Sequence, residues 1–85
     1  MAKYKIEFRS TTERELNLIP KKDQIRIIRK IASLGEDPRP VSCKKLSGQE
    51  RYRIRQGDYR ILYEIFDELL VVAIVKAGHR RDIYE

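Results

Sequence analysis

The stretch that most constrains the fold is Arg51 to Tyr63, where two runs of alternating polar and apolar residues flank the dipeptide Gly57-Asp58. Alternation of period two marks a half-buried strand, and a glycine-containing pair between two such runs marks a tight hairpin turn. The glycine supplies the positive φ of a primed turn. A two-residue turn sets Gln56 opposite Tyr59, Arg55 opposite Arg60, Ile54 opposite Ile61, Arg53 opposite Leu62 and Tyr52 opposite Tyr63. Successive side chains leave on opposite faces. Tyr52, Ile54, Ile61 and Tyr63 therefore form a core face, and Arg53, Arg55, Arg60 and Leu62 form the other. Arg55 facing Arg60 is a like-charge cross-strand pair, which costs roughly 0.2 to 1 kcal/mol. A sheet that accepts this repulsion is suited to holding an anion there.

The chain of 85 residues is expected to form one domain, residues 1–85, with a modest core. Lys and Arg total 19 against 13 for Asp and Glu, a net charge of +6, and the pI is near 9.7. That balance favours a polyanionic partner, either nucleic acid or an acidic protein segment, with merely solvated basic faces as the plain alternative. Cys43 is the only cysteine, which leaves no internal disulfide and no cysteine metal site. The N-terminus has no signal-like apolar region, and the longest apolar run, Leu69 to Val75, falls far short of the ~20 residues of a membrane helix. The expectation is a soluble, cytoplasmic protein without a membrane partner.

In chain order, Tyr4, Ile6 and Phe8 share one side of a first strand. Ser10 to Glu13 has capping-box spacing and opens a short helix with Leu16 and Ile19 inward. Pro20 stops that helix and suits the first turn of the next. From Lys21 to Leu34, the residues Ile25, Ile28, Ile31, Ala32 and Leu34 recur at helical spacing, with Asp23 in the first turn and Gly35 as the stop. Such a two-helix hairpin needs a sheet to cover. Glu36 to Pro40 is an extended connector, and Val41 to Gly48 is an irregular approach to the hairpin, with Leu46 inward and Lys44 and Lys45 outside. Asp67-Glu68 then turns the chain into an apolar strand from Leu69 to Val75, whose two apolar faces suit an interior position. A two-residue turn there pairs Tyr63 with Val72, Ile61 with Ile74 and Arg60 with Val75. The fold class is α+β: an N-terminal strand, a two-helix hairpin and a three-stranded antiparallel meander, with the helices on one sheet face.

That register returns Ala77 to Tyr84 to the Gly57-Asp58 edge and gathers Arg55, Arg60, His79, Arg80 and Tyr84 at one corner. A lone histidine without a spaced acidic cluster gives a metal site little support, and the chain has no glycine-rich phosphate loop and no Ser/His/Asp arrangement. Guanidinium forks, an imidazole and a phenol remain. Arginine binds phosphate oxygens in a bidentate way and stabilises the charge of a pentacovalent phosphorane. A tyrosine ring stacks on an exposed base, and histidine titrates near neutral pH. The set fits metal-free RNA cleavage in which a 2′-hydroxyl attacks its own phosphate. The plain alternatives are a solvated polar sheet face for the arginines, back-packing for Tyr84 and a surface role for His79.

Lys44 to Gly48, Tyr52 to Ile65 and Ala77 to Tyr84 together resemble the RelE/ParE superfamily of bacterial and archaeal toxins, closest to its RelE branch. The specific part is Tyr52, Arg53, Arg55, Gly57, Tyr59 and Arg60, followed by Gly78-His79-Arg80 and Tyr84, and the likeness runs over nearly the whole chain. It implies a RelE-like, microbial-ribonuclease-like fold and the toxin of a type II toxin-antitoxin system. The implied activity is a ribosome-dependent, metal-independent endoribonuclease that needs no cofactor, cuts mRNA in the decoding site and leaves a 2′,3′-cyclic phosphate. The implied partners are the ribosome, mRNA and a RelB-like antitoxin carrying an acidic amphipathic segment, with operator DNA bound only through the toxin-antitoxin complex.

By resemblance, Arg60 matches the phosphate-stabilising arginine and Arg80 the arginine assigned either leaving-group protonation or charge stabilisation. Tyr84 matches the tyrosine that stacks on the substrate base. Arg53 and Arg55 fall where the best-known RelE enzyme has two lysines, one proposed as general base. A guanidinium hardly deprotonates, so activation passes either to His79 or to electrostatics without a discrete base. Lys44, Lys45, Arg53 and Arg81 are expected to contact substrate, and Arg55, Arg60, His79, Arg80 and Tyr84 to act on it. A ParE-like gyrase inhibitor and a non-catalytic basic binding module are the competing readings.

Overall fold

The structure, a computed structural model, describes residues 3–46 and 50–83. Strand β1 (Lys5–Phe8) is followed by helices α1 (Ser10–Asn17) and α2 (Lys21–Ser33), then by strands β2 (Lys44–Lys45), β3 (Arg51–Gln56), β4 (Tyr59–Phe66) and β5 (Val71–His79). They form one mixed sheet of five strands in the order β1-β5-β4-β3-β2. The meander is antiparallel, while β1 runs parallel to β5, with Lys5 opposite Val71 and Phe8 opposite Ile74. Both helices cover one face. Leu16 and Ile19 of the first helical segment and Ile27, Ile31 and Leu34 of the second meet Tyr52, Ile54, Ile61, Tyr63, Val72 and Ile74 in the main core. Among the described residues no helix is long and apolar enough to cross a membrane.

The hairpin forms in the register expected of a two-residue turn, from Gln56↔Tyr59 to Tyr52↔Tyr63. Gly57 has φ of 60°, as the first position of a glycine-led primed turn requires. The stacked rings of Tyr52 and Tyr63, 5.8 Å apart, sit beneath the helices. The Tyr63 hydroxyl donates to the Pro38 carbonyl at 2.8 Å.

The other elements differ from expectation in instructive ways. Ser10 is the first helical residue and not the cap; Arg9 holds the cap position in extended conformation without a side-chain bond, so no capping box forms. Arg9 reaches Glu64 at 2.7 Å instead. On α2 the inward stripe is Ile27, Ile31 and Leu34, whereas Ile25 and Ile28 are each 45% exposed. Both stripes have helical spacing, and the helix rotation is set by its first turn: Asp23 accepts from the Tyr59 hydroxyl and Gln24 donates to the Leu16 carbonyl. The stretch expected to be irregular contributes the short edge strand β2, with Lys44 opposite Arg53.

The β4–β5 junction departs most. Asp67 to Leu70 all belong to the turn, with Leu70 at φ 53°, so the strand begins at Val71 and pairs Tyr63 with Ile74 rather than Val72. The register then slips once more between Leu62 and Tyr63, pairing Leu62 with Lys76 and leaving Val75 as the extra residue of a β-bulge. The bulge is sustained from α1. The buried hydroxyl of Thr12 lies 2.9 and 2.7 Å from the carbonyl oxygens of Ile74 and Val75, and the Ala77 amide donates to the Glu15 carboxylate. These bonds satisfy backbone groups that the interrupted ladder cannot.

Candidate functional site

The face away from the helices is arginine-rich, as the alternation requires. Arg53 and Arg55 leave β3 on this side, Arg60 stands across from Arg55, and Lys44 lies beside Arg53. Glu64 takes up Arg51, at 3.3 Å, at the end of the hairpin remote from its turn. Beneath the arginines lies a second apolar cluster of Leu46, Leu62 and Ile83, each less than a tenth exposed. The sequence reading turned Leu46 inward but did not identify this small core. Its signal is Gly78: a Cβ there would lie 3.1 Å from the Ile83 side chain, so glycine is what admits the tail onto this face.

The tail beyond β5 is tied to the hairpin turn. The Arg80 amide donates to the Asp58 carbonyl at 2.7 Å, and the exposed Arg80 guanidinium lies 3.9 Å from the Asp58 carboxylate. One Arg60 nitrogen lies 3.4 Å from the Ile83 carbonyl. Arg55, Arg60 and Arg80 are thus brought to the same end of the sheet, as expected. Arg81 is exposed in the tail, and Lys45, opposite Tyr52, meets Glu50 at 3.5 Å. Tyr84 lies outside the described residues.

His79 does not join the arginines. In an unbulged strand it would share their face; the extra residue at Val75 reverses the alternation and turns it to the helix side. There it pairs with Tyr59, the two rings meeting edge to face with centroids 5.7 Å apart. Tyr59 reaches Asp23 of α2 at 3.2 Å, and partial burial together with that carboxylate raises its pKa. The imidazole thus lies on the face of the sheet opposite Arg55 and Arg60. Among the described residues no group of three or more His, Cys, Asp or Glu side chains is placed to hold a metal ion.

Chemically, this face can grip phosphates. Several guanidinium groups project from a rigid sheet, where their spacing is fixed by strand geometry and the side chains stay charged at every relevant pH. Bidentate bonds to phosphate oxygens follow from the planar fork.

The five-strand mixed sheet with two helices on one face matches the fold of solved RelE toxins, which sets the class. The structure superimposes on the toxin-antitoxin complex RelBE2 from Mycobacterium tuberculosis with a TM-score of 0.84 and 29% identity, over 96% of this chain and 97% of that one. It matches the archaeal RelE-RelB complex from Pyrococcus horikoshii with a TM-score of 0.82 and 27% identity, over 98% and 100%. In sequence it is 32% identical over 85 residues to Toxin RelG of Mycobacterium tuberculosis, covering 95% of each chain. The family model for the ParE toxin of type II toxin-antitoxin systems matches residues 6–84. The chain belongs to this family, within the RelE/ParE superfamily of type II toxins.

Proposed function

We propose that the protein is a ribosome-dependent, metal-independent endoribonuclease that cuts mRNA in the decoding site and so arrests translation in the cytoplasm. The observation that carries this reading is the convergence of Arg55, Arg60 and Arg80 at one end of an open basic face. The substrate 2′-oxygen attacks the adjacent phosphorus as the bond to the 5′-oxygen breaks. A 2′,3′-cyclic phosphate and a 5′-hydroxyl result, one proton leaving the nucleophile and one arriving on the leaving group. Arg60 and Arg80 stabilise the phosphorane charge, and Arg53, Arg55, Arg81, Lys44 and Lys45 hold the RNA backbone. Tyr84 stacks on the base, a role carried by resemblance alone. With His79 on the far face, activation of the 2′-hydroxyl falls to the guanidinium field and to alignment by the ribosome.

The partner is an antitoxin with an acidic amphipathic segment; of the two solved relatives above, one is a toxin-antitoxin complex and the other a RelE-RelB complex, which supports an antitoxin partner. The exposed Leu18, Ile25 and Ile28 beside basic side chains suit such a segment. Operator DNA is bound through that complex. Primer extension on translated mRNA, comparing wild type with Arg80→Ala, tests the activity: wild type should produce new 5′ ends that the variant lacks. Intact transcripts during growth arrest would remove the nuclease reading. The match to the ParE family model favours a second target, DNA gyrase; inhibition of supercoiling by the purified protein would identify it. A protein that binds RNA yet neither cuts nor arrests growth would be a basic binding module.

A further inference from the structure

We infer that His79 is a positioning residue: from the helix side of the sheet, its imidazole fastens the tail that carries Arg80 around to the arginine face. This rests on the nuclease reading for its purpose but not for its geometry. The ring nitrogen Nδ1 of His79 accepts the backbone N–H of Arg81 at 3.2 Å, and its carbonyl accepts that of Asp82 at 2.8 Å. Both flanks of Arg80 are therefore fixed, since its own amide is held by Asp58. Next along the chain, Ile83 is seated over Gly78 on the opposite face. The tail starts on one side of the sheet and ends on the other, and His79 is its fastening point. The ring is itself braced by Tyr59, which is braced by Asp23.

The fastening uses Nδ1 as an acceptor, so what it asks of this position is an acceptor atom at that place.

Asparagine at this position places an oxygen acceptor where Nδ1 stands. The test measures amide hydrogen-exchange protection factors for Arg81 and Ile74, together with cleavage of ribosome-bound mRNA, in wild type, His79→Asn and His79→Ala. His79→Asn should keep most of the wild-type Arg81 protection and cleavage. His79→Ala should lose Arg81 protection and cut about tenfold more slowly, as one missing hydrogen bond predicts, while Ile74 stays protected in all three. Arg81 protection indifferent to His79→Ala would overturn the inference, as would a His79→Asn protein as inactive as His79→Ala, which would assign the imidazole a chemical role. Exchange alone decides the fastening. If exchange behaves as described and the wild type cuts no mRNA, the nuclease reading fails and the fastening stands.

Discussion

The two ends of the sheet are both built from arginines and aromatic rings, yet they use them in opposite ways. At the β4–β5 turn, Arg39 lays its fork on Asp67 at 3.1 and 2.8 Å, bonds the Tyr52 hydroxyl and covers the Tyr52 ring at 5.4 Å. Tyr4 donates to the same carboxylate at 2.7 Å. This end is closed: its cation is spent on joining the β1 approach, the connector and the turn. At the Gly57-Asp58 end, Arg55 stands across from Arg60, Arg60 reaches the Ile83 carbonyl and the exposed Arg80 guanidinium lies 3.9 Å from Asp58. One end closes an arginine fork on a single carboxylate that joins three segments, and the other ties its arginines only loosely at the edge of the sheet.

Substitutions at the two ends should therefore separate stability from toxicity. Arg60→Ala or Arg80→Ala is expected to lower mRNA cleavage by a factor of about 10²–10³ while Tm moves by less than about 2 °C. A matching fall in Tm, followed by thermal melts, would make the two ends equivalent. Tyr63→Phe leaves the Pro38 carbonyl without its buried donor and should cost about 1–2 kcal/mol in urea unfolding. Cleavage per folded molecule should stay at the wild-type level. The Arg39 fork and the Tyr4 hydroxyl hold the Asp67 carboxyl at about 2, below its ordinary 3.8. A lowered folded-state pKa gives stability that is whole above about pH 4 and is lost as pH falls toward 2. Asp67→Asn should flatten that part of the acid-unfolding curve, and an unchanged curve would show the closed end to be idle. The smallest effect belongs to Leu70→Gly, which relieves a left-handed backbone and should add about 0.5–1 kcal/mol without touching activity.

What was legible in the sequence follows the range of the signals. The β3–β4 register was readable because Gly57-Asp58 and the alternation beside it lie within one short segment. The β4–β5 register was not, since Leu69 and Leu70 look like strand residues and nothing nearby marks the left-handed turn. The bulge at Val75 was out of reach altogether: its supports, Thr12 and Glu15, lie 62 or 63 residues away along the chain. That one unreadable residue turned His79 to the helix side of the sheet. On α2, two isoleucine stripes competed and only the tertiary bonds of Asp23 and Gln24 chose between them.

Among the described strands the first pairs with the last alone, residue 5 meeting residue 71. A growing polypeptide cannot close such a sheet until residues 71–74 have been made, because the pairing joins positions 66 apart along the chain. A fragment that stops short of β5 therefore has neither the closed sheet nor the tail that brings Arg80 to the hairpin turn.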